Sequence, residues 1–431
     1  MKRFVRIGSA AALVALAGCG GDSNRGLPVD REAMEARFTE QEGARIENLF
    51  SLDQIQGAVR GGEGDLRADF SEVRVLLSGE EIDPAKIHGT VRVGPYPFEA
   101  EEADFAYKRF RVRHRLEGGK ADLGAHFLME EGLNSEGWTD GGRLSVRFDL
   151  RYERPGADRD LGLYDIFVDF RRSGETYEVL PSIVEGPFVA LARSDDPGRV
   201  VVALRTSVPA PVRVLLGDGR TYVSRGGGLS HEIPVTGLDA AREYSYRVEV
   251  GGARSRSFPF RTAPKKGKGE VVFAYTGDSR EGRGGGDEEF MGVNHRTLVN
   301  LTAVAYREGA MFFLMGGDLV NGYTTSPGDF AAQLRAWKQA VAGFGNSRPI
   351  YPCMGNHEAL LRIFDLGEGK SAYLDRWPYD TESAEAVFAR EFVNPENGPS
   401  RPTAAGPPTG KTSTPSSTGP SSASPSTTTT G

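Results

Sequence analysis

Hydrophobic and polar residues alternate in short runs through the first part of the chain. Residues 73–77, 109–116 and 144–150 are examples, and clusters of Gly, Asp and Asn separate such runs. Alternation with a period of two places one face of a strand against a core and the other face in solvent. We therefore predict an all-β N-terminal region, a β-rich domain of unassigned role, over residues 51–180. Residues 19–50 are predicted to be a tether that includes a short helix.

A second β segment, residues 181–263, has strands at more regular spacing. Apolar alternation marks four of them, at residues 199–205, 212–216, 222–225 and 244–250. Leu238 precedes Tyr244 by six residues, a spacing that resembles the tyrosine corner of fibronectin type III-like sandwiches. The resemblance implies a β-sandwich, and an architecture alone implies no function.

The hydrophobic period changes after a basic, Gly-rich linker at residues 264–269. Continuous apolar runs at 270–276, 310–315 and 349–354 alternate with helical spacing at 294–307 and 329–342. Continuous apolar runs are typical of strands buried on both faces, so the order predicts a parallel sheet in an α/β domain over residues 270–400. Residues 401–431 contain only Arg, Pro, Thr, Ala, Gly, Lys and Ser. That composition cannot form a core, and we predict a disordered tail.

The N-terminus and the net charge indicate the compartment and exclude one class of partner. Lys2, Arg3 and Arg6 precede a short apolar stretch, residues 7–16, that is too short to span a bilayer. The following Leu16-Ala17-Gly18-Cys19 resembles a bacterial lipobox, which implies a signal peptide over residues 1–18 and a lipid on Cys19. The protein is then exported and anchored on the periplasmic or cell-surface side of a bacterial membrane. An ordinary secretory signal with an incidental Cys is the alternative. The formal net charge of -7 argues against a nucleic-acid-binding surface.

Three polar motifs follow the three predicted parallel strands. They are GDSR at residues 277–280, GGDLVNG at 316–322 and GNHE at 355–358. The carboxyl ends of parallel strands meet at one edge of a sheet, where ligands bind. Asp, Asn and His supply the oxygen and nitrogen ligands that hard metal ions prefer, and glycine lets the backbone turn sharply off each strand. The motifs together predict a metal site at this edge.

The order of these motifs resembles calcineurin-like metallophosphoesterases, including the purple acid phosphatase branch, which often carries a preceding β-sandwich. The resemblance implies that Asp278 binds one metal ion, Asp318 bridges two and Asn356 binds the second. It also implies that His357 contacts the phosphate of an ester substrate or protonates the leaving oxygen. The two divalent or trivalent ions, iron, manganese or zinc, are expected about 3.5–4 Å apart. Glu358 is expected to orient His357 or to cap a following helix.

The chain departs from the family pattern in the residues around these ligands. Arg280 stands where the family usually has His; it cannot bind a metal ion as a cation, but it can hold phosphate oxygens as a clamp. The Tyr that purple acid phosphatases place three residues after the bridging Asp is Asn321 here, a candidate supporting residue, and Tyr323 lies two residues further on. The family takes further His ligands from later GH and GHxH motifs, yet none of the 6 His residues follows His357. We therefore expect an incomplete metal site in a domain shortened by truncation or a frame shift, with a genuine flexible tail as the alternative.

Two functions follow from these observations. The first is a metal-dependent phosphoesterase that hydrolyses a phosphomonoester or phosphodiester outside the cytoplasm. The second is a non-catalytic surface lipoprotein whose β-modules bind a partner and whose phosphoesterase portion is vestigial.

Overall fold

The computed structural model describes residues 6–7, 36–40, 46, 48–77, 79–96, 105, 108–130, 138–224, 227–280, 291–359 and 361–395. The predicted lipidation residue Cys19, the predicted signal peptide apart from residues 6–7, and the predicted tail at 401–431 lie outside these ranges. Within them, no helix has both the length and the apolar character needed to cross a bilayer.

The N-terminal region, residues 48–180, is built around a five-stranded antiparallel sheet whose strands lie in the order 176–179, 159–173, 141–152, 87–95 and 112–116. The elements up to its end are β1 (Arg6–Ile7), β2 (Thr39–Glu40), α1 (Leu52–Gly57), β3 (Val59–Arg60), β4 (Arg67–Asp69), β5 (Leu76–Leu77), β6 (Glu80–Glu81), a 3-10 turn (Pro84–Lys86), β7 (Ile87–Pro95), β8 (Val112–Leu116), β9 (Lys120–Asp122), α2 (Ala125–Leu128), β10 (Gly141–Tyr152), β11 (Arg159–Ser173) and β12 (Thr176–Val179). The region is β-rich, as its alternation predicts. The range expected to hold a tether and a short helix contains strand β2.

The long strands β10 and β11 do not follow the expected division into a buried and a solvated face. The apolar positions of β10, such as Val146 and Phe148, are buried, but so are the polar Ser145 and Arg147 between them. Arg147 pairs with the buried Asp165 of β11 at 2.7 Å. The second face of this sheet is therefore covered as well, and its charged residues are neutralised in pairs rather than hydrated.

The sandwich, residues 181–263, consists of two antiparallel sheets around a hydrophobic core of its own. Its strands are β13 (Ile183–Ala190), β14 (Val200–Thr206), β15 (Val212–Leu216), β16 (Thr221–Ser224), β17 (Ser230–Val235), β18 (Glu243–Val250), β19 (Ala253–Arg254) and β20 (Phe258–Arg261). One sheet has the order β13-β14-β17; in the other, β16-β15-β18, both β19 and β20 pair with β18. The four strands predicted from alternation are all present. The Tyr244 hydroxyl accepts a hydrogen bond from the Asp239 N–H at 2.9 Å.

The α/β domain, residues 270–395, has the predicted parallel strands and helices. Its elements are β21 (Val271–Thr276), α3 (His295–Arg307), β22 (Phe312–Met315), α4 (Pro327–Gly345), β23 (Ile350–Pro352), β24 (Arg362–Gly367), β25 (Lys370–Leu374), α5 (Tyr379–Glu382) and α6 (Ala384–Glu391). Strands β21, β22 and β23 are parallel and adjacent, and β1 adds an antiparallel pair at β21. Strand β2 pairs with the hairpin β24–β25, which directly follows the GNHE motif.

Helix α4 connects all three parts of the molecule. One hydrophobic core joins buried side chains of the N-terminal region with those of the α/β domain, including Phe344 of α4. Lys338 of α4 contacts Glu185 of the sandwich at 2.5 Å and Glu391 of α6 at 2.6 Å. The sandwich also donates from the Tyr246 hydroxyl to the Asn346 carbonyl, just after α4, at 2.7 Å. These contacts fix the sheet whose carboxyl edge carries the candidate site.

Candidate functional site

The first two motifs leave their strands with the same unusual backbone. Asp278 follows β21 with φ 53°, and Asp318 follows β22 with φ 51°, both in the left-handed region. The Asp278 N–H donates to the Gly317 carbonyl at 3.1 Å, and the Arg280 N–H donates to the Asp318 carbonyl at 3.0 Å. The left-handed residue turns the backbone away from the strand in both motifs. These two hydrogen bonds therefore keep the motifs adjacent after their strands have ended.

Glycine residues allow the backbone of the third motif to lie directly against Asp318. A Cβ atom at Gly355 would lie 2.2 Å from Asp318 Oδ1, and one at Gly317 would lie 2.6 Å from the Gly355 nitrogen. Only residues without a side chain permit this approach. The His357 N–H then donates to Asp318 Oδ1 at 3.3 Å. All three strand ends therefore converge on Asp318, and we call Asp278, Arg280, Asp318, Asn356 and His357 the strand-end site.

Glu358 holds the second and third motifs together beneath this site. Its carboxylate accepts from the N–H groups of Asp318 at 3.0 Å, Val320 at 3.1 Å and Gly355 at 2.7 Å. Glu358 was expected to orient His357 or to cap a following helix. In the structure these N–H groups engage both carboxylate oxygens, and the hairpin β24–β25 follows. Burial raises the pKa of Glu358 to about 7, against the opposing effect of its backbone hydrogen bonds.

The Arg280 side chain faces the carboxylate of Asp318, which the family resemblance implies would bridge two metal ions. Its Nε lies 3.3 Å from Asp318 Oδ2, and its side chain is 42% exposed. Its two Nη atoms have no hydrogen-bond partner among the residues that the structure describes. The carboxylate of Asp278 is exposed beside the same turn. The guanidinium therefore neutralises Asp318 while keeping its outer nitrogens available for an anion.

The loop after Asp318 encloses His357. The Asn321 carbonyl accepts from His357 Nδ1 at 2.7 Å, so the supporting position predicted from the sequence acts through its backbone. Because a carbonyl only accepts, Nδ1 carries a proton and Nε2 is the ring atom left to meet a ligand. The Tyr323 ring packs against the His357 ring at a tilt of 56°, with the two centroids 4.3 Å apart, and the Tyr323 hydroxyl accepts from Asn356 Nδ2 at 2.7 Å.

The donor set is smaller than a two-metal centre requires. Within the described parts of the chain, no group of three or more His, Cys, Asp or Glu residues is arranged to hold a metal ion. Two ions each take about four to six ligands, while the site offers Asp278, Asp318, Asn356 and His357, with Arg280 paired to the central carboxylate. These residues do not fit a two-metal centre by themselves.

Sequence reasoning located the five residues of the strand-end site, and the structure brings them to one edge of the sheet. It missed the contact of Tyr323 with Asn356 and the role of Glu358 in joining two loops. Gly322, directly before Tyr323, could have indicated this contact, because glycine permits a turn that folds the next residue back over the sheet edge. Nothing in the local sequence around Glu358 identifies Asp318 and Val320 as its partners.

One comparison with known proteins, a match to a family model, covers the three motifs of the strand-end site. Residues 273–403 match the sequence profile of the calcineurin-like phosphoesterase family. No curated protein matches the chain. Among solved structures, the purple acid phosphatase PPD1 from yellow lupin (Lupinus luteus) seeds is 13% identical, with a TM-score of 0.40 over 79% of this chain and 60% of that one. A structure of PhoD is 15% identical, with a TM-score of 0.31 over 49% of this chain and 45% of that one. The chain thus spans less than two thirds of either structure.

Proposed function

We propose that the strand-end site binds the phosphate group of a phosphate ester as part of a phosphoesterase-like activity. One observation carries this proposal: three motifs far apart in sequence converge on Asp318, which contacts Arg280 and the backbone of His357. The profile match over the same strands supports the same class of substrate. A packed structural turn would not need a half-exposed cation and an imidazole at the open edge of a sheet.

Arg280 and His357 are the groups that would meet the ester. The Nη atoms of Arg280 match the spacing of two phosphate oxygens, and a planar guanidinium binds them in a bidentate manner. His357 presents Nε2, which in the protonated ring donates to a phosphate or leaving-group oxygen. The family implies two metal ions at such a site, for which Asp278, Asp318 and Asn356 are the oxygen donors. We assign no catalytic step to the metal ions, because the described donor residues do not complete a two-metal centre.

Phosphate binding by the full chain tests the proposal. Titration calorimetry with inorganic phosphate in the presence of a chelator should detect binding to the wild type. Arg280→Ala should weaken it at least about tenfold, because a charge-assisted bond to an anion contributes about 1.5–3 kcal/mol. Arg307→Ala is the matched control, since Arg307 is an exposed arginine in the last turn of α3, before β22 begins. Equal binding by Arg280→Ala and the wild type would contradict the assignment.

Hydrolysis is the second measurement. We expect this chain to turn over an aryl phosphate only weakly with added manganese, iron or zinc, because the loss of even an outer partner costs about tenfold to a hundredfold in metal affinity or activity. The Arg280–Asp318 ion pair favours a second candidate, a phosphate-binding protein without turnover. Robust turnover that disappears in Asp318→Asn would exclude this candidate and show that the site is complete.

We also propose that the protein is exported and anchored to a membrane through a lipid on Cys19. The support is the order of charged, apolar and small residues before that cysteine. In a bacterial host, Cys19→Ser should move the protein from the membrane fraction to the soluble fraction. Retention of the variant in the membrane fraction would overturn this part of the proposal.

A further inference from the structure

Gly322 and Tyr323 form a turn that lies directly over the GNHE loop. Both have left-handed backbone, with φ of 54° and 48°. A Cβ atom at Gly322 would lie 1.7 Å from the His357 carbonyl oxygen, so only glycine fits there. The Tyr323 N–H donates to that carbonyl at 3.2 Å, and the Gly322 N–H donates to Gln333 Oε1 of helix α4 at 2.9 Å. Contacts on both sides therefore hold Tyr323 in a conformation that residues with a side chain rarely adopt.

This conformation directs the Tyr323 side chain at two residues of the strand-end site. Its hydroxyl accepts from Asn356 Nδ2 at 2.7 Å, which leaves the Asn356 amide oxygen facing away from the tyrosine. Its ring packs 4.3 Å from the His357 ring, whose Nδ1 is held at 2.7 Å by the Asn321 carbonyl. An exposed amide side chain samples several rotamers unless one of its ends has a hydrogen-bond partner. Tyr323 is that partner.

We propose that Tyr323 is a positioning residue, which holds the Asn356 amide side chain and the His357 ring at the places where a bound phosphate ester meets them. The proposal rests on the proposed function, because it assumes a phosphate ligand at the strand-end site. It also accounts for a backbone conformation that is otherwise unfavourable. Strained conformations persist where surrounding contacts over-determine them, and they concentrate at functional sites.

The substitution Tyr323→Phe isolates the hydroxyl, because phenylalanine keeps the ring and the same backbone preference. Tyr373→Phe is the matched control, since Tyr373 lies in the same aromatic cluster, with its ring 6.0 Å from that of Tyr323. Three properties are measured on the full chain: the side-chain amide resonances of selectively 15N-labelled asparagine, the Kd for inorganic phosphate and the Tm. Asn356→Asp identifies the Asn356 resonances by their disappearance.

We expect Tyr323→Phe to shift the Asn356 amide resonances and to raise the Kd for phosphate about tenfold, with the Tm unchanged. Tyr373→Phe should leave the resonances and the Kd as in the wild type. Wild-type resonances and a wild-type Kd in Tyr323→Phe would overturn the proposal, and so would a fall in Tm large enough to explain the weaker binding. If the wild type itself binds no phosphate, the proposed function fails, and the Asn356 resonances still decide whether Tyr323 orients the amide.

Discussion

At the scale of single residues, Asp278, Asp318 and Tyr323 share a left-handed backbone that side chains disfavour. Each such residue costs on the order of 1–2 kcal/mol. Hydrogen bonds from the same residues offset the cost: the Asp318 N–H donates to Glu358 at 3.0 Å, and the Tyr323 N–H donates to the His357 carbonyl at 3.2 Å. The chain thus uses backbone geometry, more than additional charged groups, to bring three loops together.

His295 makes a residue-scale prediction about pH. It lies buried at the start of α3, and burial, together with the nearby Lys108, lowers its pKa to about 3. Its Nε2 has no hydrogen-bond partner among the described residues. In the unfolded chain a histidine titrates near its ordinary value of about 6.5. The unfolded state therefore binds the extra proton between these two values, and the folded state loses stability as the pH falls below about 6.5.

Urea unfolding of the wild type and of His295→Gln between pH 7 and pH 4 tests this prediction. The wild type should lose more free energy of unfolding over that interval than the variant, which has no imidazole to protonate. Parallel loss in the two proteins would show that other groups account for the whole acid dependence.

At the scale of elements, most strands and helices follow from local periodicity. The predicted helix over residues 294–307 is observed as α3, with Asn294 as its N-cap. Helix α4 is longer than the predicted 329–342, because Ser326 caps it and Pro327 begins it. The polar face of β10 departs from the simple pattern. Alternation identifies which positions share a face, but it does not reveal what covers the second face.

Tyr244 gives an element-scale prediction for the sandwich. Its hydroxyl accepts the Asp239 N–H at 2.9 Å and closes the loop before β18. Tyr244→Phe should lower the free energy of unfolding by about 1 kcal/mol, the typical net contribution of one hydrogen bond. Tyr275→Phe, at a tyrosine that is 57% exposed, is the control and should change it little. Denaturant unfolding measures both, and equal stabilities of the two variants would argue against the corner.

At the scale of the whole molecule, the N-terminal region is not packed as an independent unit. Its buried side chains continue into the core of the α/β domain, and the sandwich is held on helix α4 by buried ions. Folding of the sheet that carries the strand-end site is therefore coupled to residues more than a hundred positions earlier.

Lys338 tests this coupling. Its ammonium is nearly buried between the carboxylates of Glu185 and Glu391, with 5% of the side chain exposed. Lys338→Met would leave the two buried carboxylates paired only with Arg335 among the described residues, at 4.0 Å from Glu185 and 3.4 Å from Glu391. We therefore expect the free energy of unfolding to fall by about 3 kcal/mol, the lower end of the cost of breaking a buried ion pair. Lys370→Met is the control, because the Lys370–Glu368 pair is 71% and 84% exposed and should contribute about 1 kcal/mol or less. Similar losses in the two variants, measured by urea unfolding, would contradict a buried junction.

The sequence by itself determined the local elements and the order of the three motifs, because hydrophobic period, capping residues and glycines act over a few neighbouring positions. It thereby predicted the strand-end residues and the edge of the sheet on which they meet. Only the tertiary structure decided that Arg280 pairs with Asp318, that Glu358 joins two loops and that Tyr323 holds Asn356. These contacts join residues more than thirty positions apart. Tertiary packing of the complete chain determines which of these contacts form, so a local sequence pattern does not predict them.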